Sequence, residues 1–339
     1  MGAELELIEK IASIARSKKD SALVFGIGDD CAIITPPTFK DAALAITTDT
    51  MVEGVHFNLS YYSPFLLGRK AAASNLSDLA AVGARPRWAL LTIEVSSEAS
   101  SQRFWDSFSK GLSSWLYTYD VSLIGGDTVS SGNGLSIGLT LIGEVDKTGW
   151  LRRSGARPGD LIYCSGFLGE GAMGLHILEK KPGLHKRLVP KNAIKRLIKR
   201  HLDPTPRIEL GLLLRRSRLA SSCIDLSDGL ATDLAHICRQ SDVGALLFQD
   251  RLPLSRALRL ASRALGYDPN QLALTGGEDY ELVWTGLSQD QKTFRVIGAR
   301  LGLKVSVIGQ IIADSKNRVI LQSSKGTKDI TFKGYEHLI

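Results

Sequence analysis

At 339 residues the chain exceeds what a single hydrophobic core usually fills, so two domains are expected. Its 44% apolar content and mean hydropathy of +0.02 are those of an ordinary globular protein. No apolar run approaches the roughly 18 residues of a membrane span, and Met1 to Lys10 holds three Glu and no apolar signal core, which places the protein in the cytoplasm.

Leu5, Leu7, Ile8, Ile11, Ala12 and Ile14 predict a short amphipathic opening helix. After Gly26-Ile27-Gly28-Asp29-Asp30, strands are expected over Cys31–Thr35 and Ala42–Thr47 around a Pro36-Pro37 turn, the second delivering Thr47, Thr48 and Asp49 at its end. Ser63 followed by Pro64 opens a long helix of small residues that runs towards Gly83 and carries Asp78 in its later turns. A strand at Trp88–Val95, a helix at Ser101–Tyr117, a strand at Val121–Ile124 ending in Gly125-Gly126-Asp127, and a strand at Leu135–Val145 complete this half.

Gly149, Gly155, Pro158 and Gly159 gather with three arginines between Asp146 and Gly159, marking a boundary that gives domains 1–148 and 149–339. Beyond it strands are expected at Leu161–Cys164, Cys223–Leu226, Ala245–Phe248, Glu281–Thr285, Val305–Ile308 and Val319–Gln322. Helices are expected around Gly171–Leu178, Ala193–His201 and Arg207–Arg216, with Asp228 opening another through His236 to Cys238. Strands and helices mix without strict alternation, so α+β describes both halves better than a doubly wound sheet.

Several familiar chemistries are excluded. There is no G-x-x-x-x-G-K-[ST], no H-E-x-x-H and no G-x-S-x-G, and His56 lacks triad partners. Gly169-Glu170-Gly171-Ala172-Met173-Gly174 matches the dinucleotide fingerprint, but no strand-end acid follows about 20 residues on, so these are read as helix-start glycines. Cys31, Cys164, Cys223 and Cys238 are too scattered for a zinc site or a disulfide framework. Thirteen Lys or Arg face two acids between Lys180 and Arg218, more than the whole net charge of +7. Without interleaved aromatics or a recognition motif this is a solvated helical face, and no nucleic-acid partner is expected.

The acids carry the chemistry. Asp29, Asp30, Asp49, Asp78, Asp127, Asp225 and Asp228 recur in Gly-, Ser- or Thr-marked settings with hydroxyls at Thr47, Thr48 and Ser227. Singly, Asp49, Asp127 or Asp225 reads as a turn or cap residue. Together, seven carboxylates would repel unless hard divalent cations and a nucleotide polyanion balanced them, which points to several Mg2+ ions and ATP. Arg153 is either the cation for a phosphate oxygen or an exposed linker charge. Gly276-Gly277-Glu278-Asp279-Tyr280-Glu281 is either a solvated loop or the place where an acceptor meets the metal-bound nucleotide.

GIGDDCA, TTDTMVEGVHF, NLSDLAAVGARP, IGGDT, RSGARPGD, IDLSDGLATDL and GGEDYEL, in this order, resemble the thiamine-monophosphate kinase family of the aminoimidazole-ribonucleotide-synthetase-like superfamily, from about Glu6 to Tyr335. The resemblance implies an N-terminal α/β domain that dimerises through its sheet and a C-terminal α+β domain that closes over the nucleotide. It implies direct in-line phosphorylation of thiamine monophosphate by ATP with several Mg2+ ions, and a cytoplasmic homodimer. Asp30, Thr47, Thr48, Asp49, Asp78, Asp127, Asp225 and Asp228 resemble the family's magnesium ligands; Gly126, Asp127, Arg153 and Ser227 resemble its ATP contacts; His56, Glu278 and Tyr335 resemble its thiamine-phosphate contacts. Thr47 stands where many relatives have Ser, which keeps the hydroxyl. No covalent nucleophile is expected. Two other readings of the same pocket stay open at this level: an ATP-using synthetase that activates an oxygen or selenium acceptor, and a non-catalytic sensor of nucleotide and metal.

Overall fold

The computed structural model describes residues 22–36, 41–95, 101–130, 132, 134–179 and 189–335. The opening helix expected over Leu5 to Ile14 lies outside them. The first half is a six-stranded sheet in the order β1-β2-β3-β6-β4-β5. Its strands are β1 (Leu23–Phe25), β2 (Ala32–Ile34), β3 (Ala42–Val52), β4 (Arg85–Val95), β5 (Ser122–Ser130) and β6 (Ser136–Asp146). All neighbours are antiparallel except β4 and β5, which run parallel.

Helices α1 (Pro64–Ala81) and α2 (Gln102–Thr118) belong to this half. The Ser63 hydroxyl caps α1 by accepting from the Leu66 N–H at 3.3 Å, and Pro64 occupies the first helical position, where its missing N–H costs nothing. Almost all of α1 is buried, packed on α2, β3 and β6 and on elements of the second half, which explains its run of Ala and Ser. Gly68 and Gly111 let α1 and α2 approach so closely that a Cβ at either would collide with the other helix's backbone, at the Phe108 or Phe65 carbonyl.

Two strands run further than expected. Thr47, Thr48 and Asp49 sit inside β3, which pairs with β6 as far as Val52, and Gly125-Gly126-Asp127 sits inside β5, paired with β4 as far as Ser130. Runs of Thr and Val favour the extended chain, so the acidic points lie in the sheet and not in turns after it.

The second half is a seven-stranded sheet in the order β13-β12-β9-β11-β7-β10-β8. It is built from β7 (Leu161–Ser165), β8 (Ala220–Asp225), β9 (Gly244–Phe248), β10 (Leu282–Gly286), β11 (Val305–Ile312), β12 (Val319–Ser323) and β13 (Gly326–Asp329). Around it lie α3 (Glu170–Glu179), α4 (Lys191–Leu202), α5 (Ile208–Ser217), α6 (Leu230–Ser241), α7 (Arg256–Leu265), α8 (Pro269–Thr275) and α9 (Gln291–Arg300). The last three helices were not anticipated, although α7 and α8 carry ordinary cap signals in Ser255 and in Asp268 with Pro269. α7 and α9 are as long as α3 and α5, which were expected, so length does not account for the difference. The cores are not separate: Tyr163, Trp284 and Phe294 of the second half join the same apolar cluster as Ile33, Leu67 and Leu141 of the first. The connecting segment is bonded to both sides, through the Leu151 N–H to the Val82 carbonyl and the Cys223 N–H to the Arg152 carbonyl. The two halves therefore meet along a packed, hydrogen-bonded seam.

Candidate active site

Asp30, Asp78 and Asp225 each place a carboxylate oxygen within 4.8 Å of the other two. They come from the turn before β2, the last turns of α1 and the end of β8, so the seam itself builds the cluster. Asp49 joins from β3, its N–H donating to Asn75 Oδ1 at 3.1 Å. Thr47, two residues earlier on the same face, donates its hydroxyl to Asp78 Oδ2 at 2.5 Å, and Ser77 donates to Asp225 Oδ2 at 2.6 Å. Burial pushes the Asp78 and Asp225 carboxyls well up, and neighbouring carboxylates push them further. Burial raises Asp49 too, and carries Asp29 up to about 7 with Asp30 adding to the effect. Arg153 answers this charge with a two-pronged contact on Asp30, at 2.9 and 3.1 Å. Its guanidinium is largely buried, so it is not an exposed linker charge. One guanidinium against five carboxyls leaves the cluster short of positive charge, which is why burial and mutual repulsion favour the protonated forms of Asp29, Asp49, Asp78 and Asp225.

The remaining expected ligands lie elsewhere in the chain. Thr48 and Thr50 alternate to the opposite face of β3 from Asp49, and Thr48 Oγ1 meets Thr140 Oγ1 at 2.9 Å. Asp127 pairs with Thr92, which pairs through Gly138 with Thr50, so it belongs to that open face. Three strand spacings of about 4.8 Å put it roughly 14 Å across the sheet from β3. Gly126 beside it has no alternative, because a Cβ there would strike the Leu91 carbonyl of β4. Asp228 and Ser227 lie in the turn before α6. The Asp228 N–H donates to Asp233 Oδ2 at 3.3 Å, and the Ser227 carbonyl accepts from the Glu278 N–H at 2.7 Å.

The acidic turn after α8 divides by role. Asp279 is buried and accepts from the Gly169 and Gly171 N–H groups at 2.6 and 3.2 Å, fixing the start of α3. Burial carries its carboxyl up to about 7. Glu281 is also buried, held by Ser165 at 2.6 Å and by the guanidiniums of Arg200 and Arg207. Only Glu278 turns towards the first half, where its Oε1 lies 2.5 Å from Lys70 Nζ and its Oε2 lies 3.2 Å from His201 Nδ1. His56 is adjacent, its carbonyl accepting from Lys70 at 3.1 Å, and the Tyr335 ring is half exposed near the Asp228 turn.

Sequence reasoning missed Lys70, Ser74 and Ser77, although their i, i+4, i+7 spacing draws one polar stripe down an otherwise Ala- and Leu-rich helix. It also missed Asp233, buried in the first turn of α6, and His201, which follows basic residues that looked purely solvated.

Residues 28–145 match the family model "AIR synthase related protein, N-terminal domain", and residues 157–322 match "AIR synthase related protein, C-terminal domain". The chain is 41% identical over 337 residues to the thiamine-monophosphate kinase of Escherichia coli (strain K12), covering 98% of each. It is 40% identical over 338 residues to that of Buchnera aphidicola subsp. Schizaphis graminum, covering 99% of each. The chain belongs to the thiamine-monophosphate kinase family. Among solved structures, AaThiL complexed with AMPPCP and TMP superposes with a TM-score of 0.80 at 30% identity, over 96% of both chains. Family membership supplies the reaction class, and the two-domain AIR synthase-like fold expected from the sequence stands.

Proposed function

We propose that the chain transfers the γ-phosphoryl group of ATP to the phosphate of thiamine monophosphate, giving thiamine diphosphate and ADP, with magnesium held by the acid cluster. Near-full-length likeness to thiamine-monophosphate kinases supports the reaction, and the structural relative carries an ATP analogue beside TMP. The observation that ties the reaction to this chain's residues is the buried meeting of Asp30, Asp78 and Asp225 against Arg153.

The donor set fits magnesium. It consists of carboxylates and hydroxyls with no thiolate or imidazole among them, with Asp30, Thr47 and Asp225 buried and Asp49 and Asp78 partly buried. Asp30, Asp49, Asp78 and Asp225 with Thr47 would hold the ion; Thr48 and Asp127, ligands in the family pattern, lie on the opposite face of the sheet outside this cluster, and Asp228 lies in the turn before α6. When bound, magnesium neutralises the donor and acceptor phosphates, which otherwise repel.

The residues themselves position. Arg153, already aimed at the cluster, offers guanidinium N–H groups for a nucleotide phosphate, with Ser227 in the turn before α6 as a further ATP contact, whereas Gly126 and Asp127, the family's other ATP contacts, lie on β5 across the sheet. His56, Glu278 and Tyr335 form the acceptor side. The attacking oxygen is a phosphate anion at neutral pH, so no strong general base is needed, and alignment does most of the work in a direct in-line transfer. The open face of the first sheet, with Leu90 and Val129, and the exposed edge at Leu123 and Ile124 support a homodimer formed through that sheet. A cytoplasmic location accords with the absence, among the described residues, of a helix long and apolar enough to cross a membrane.

Incubation with Mg-ATP and, separately, thiamine, thiamine monophosphate or an aminoimidazole precursor tests the proposal. ADP release should require thiamine monophosphate; release with the aminoimidazole precursor alone would move the chain to the synthetase reading, and release with thiamine alone would make it a kinase of a different acceptor.

A further inference from the structure

His56 and Glu278 belong to different halves of the molecule, yet one side chain touches both. Lys70 of α1 is 1% exposed; its ammonium donates to the His56 carbonyl at 3.1 Å and lies 2.5 Å from Glu278 Oε1. The Tyr62 ring lies 5.3 Å from the same ammonium, and His201 approaches the other oxygen of Glu278. Glu278 itself sits at φ +66°, a left-handed conformation that is unfavourable for a non-glycine residue. Surrounding contacts must hold it there.

We propose that Lys70 is the positioning residue of the acceptor pocket: its ammonium ties the loop at His56 to the turn at Glu278 and fixes the direction in which the Glu278 carboxylate faces the acceptor. This rests on the assignment of His56 and Glu278 to the acceptor side. Burying an ammonium is unfavourable even when it is paired, and an apolar side chain of similar length would fill the space without that penalty. What the charged pair supplies is direction. Lys70 takes one oxygen of Glu278 and His201 Nδ1 lies 3.2 Å from the other, yet the Glu278 side chain stays 25% exposed, so lone pairs on a fixed carboxylate remain open to the cleft. Lys70 also lies eight residues before Asp78 on one rigid helix, which sets the acceptor wall at a constant distance from the acid cluster.

The test is steady-state kinetics of the full chain carrying Lys70→Met and Lys70→Arg, with thiamine monophosphate and ATP varied separately. Lys70→Met should raise the KM for thiamine monophosphate by about tenfold or more and leave the KM for ATP within about twofold, and Lys70→Arg should recover part of the loss. A purely structural role would move both constants together and would not be rescued by charge. If Lys70→Met does not fold, the pair Lys70→Met with Glu278→Gln removes both charges and leaves no buried ion unpaired, and its acceptor KM should match that of Glu278→Gln alone. An unchanged acceptor KM in a folded Lys70→Met, or equal rises in both constants, overturns the proposal while the kinase reading stands. Wild-type protein that fails to phosphorylate thiamine monophosphate overturns both.

Discussion

The Lys70 ammonium and the Glu278 carboxylate, 2.5 Å apart, form an ion pair between the two halves of the chain. Although burial alone would raise the Glu278 carboxyl, Lys70 and then His201 outweigh it and bring it from 4.5 down to about 2. A depressed carboxyl contributes stability that is present above its unfolded value and lost as pH falls through its folded value. Thermal midpoints of wild type and Glu278→Gln should therefore differ most above pH 4.5, with wild type higher, and converge as pH falls towards 2. A gap that widens on acidification would show that Lys70 does not hold the charge.

The acid cluster makes the opposite kind of prediction. Asp78 is buried among Asp30, Asp49 and Asp225, so Asp78→Asn should raise the metal-free thermal midpoint by relieving repulsion. It should also abolish most of the stabilisation by magnesium, which for wild type at about 100 times the dissociation constant amounts to about 2.7 kcal/mol. Turnover should fall by orders of magnitude in Asp78→Asn and Asp49→Asn. A metal-free midpoint that drops, with the magnesium response intact, would remove Asp78 from the site.

Direct transfer follows from the state of the candidate nucleophiles. All four cysteines are buried, and burial pushes Cys31, Cys164 and Cys223 well up and Cys238 up to about 12, far from a thiolate at neutral pH. Rapid quenching during a single turnover should recover no phosphoprotein. A labelled enzyme species that forms and decays at the rate of turnover would replace the mechanism with a two-step one.

The edge strand β5 is exposed along its whole length, with Leu123, Ile124 and Val129 facing solvent. Sedimentation at micromolar concentration should give twice the chain mass, and Ile124→Asp should shift it towards the monomer. A wild-type monomer of full activity would rule out the interface as a requirement.

Much of this was legible in the sequence, for identifiable reasons. Ser63-Pro64 announced α1 because capping is local, and Asp30, Asp49, Asp78 and Asp225 stood out only as a set, because converging carboxylates repel unless cations balance them. What escaped depends on partners far along the chain. The division of Thr48 and Asp127 from Asp49 follows from strand pairing, which alternation reveals only once β3 and β5 are known to continue. Asp279 and Glu281 looked like equals of Glu278, yet one fixes the start of α3 and the other is held by Arg200 and Arg207, contacts that no local pattern encodes. Lys70 was hidden because a lysine on a helix is ordinarily solvated.

The most direct test of the central claim follows the labelled terminal phosphate of ATP in a reaction with magnesium and thiamine monophosphate. The label should appear in the terminal phosphate of thiamine diphosphate, in equal amount to the ADP formed, with almost none released as inorganic phosphate. Label recovered as inorganic phosphate at a rate independent of thiamine monophosphate, with no thiamine diphosphate formed, would contradict the account.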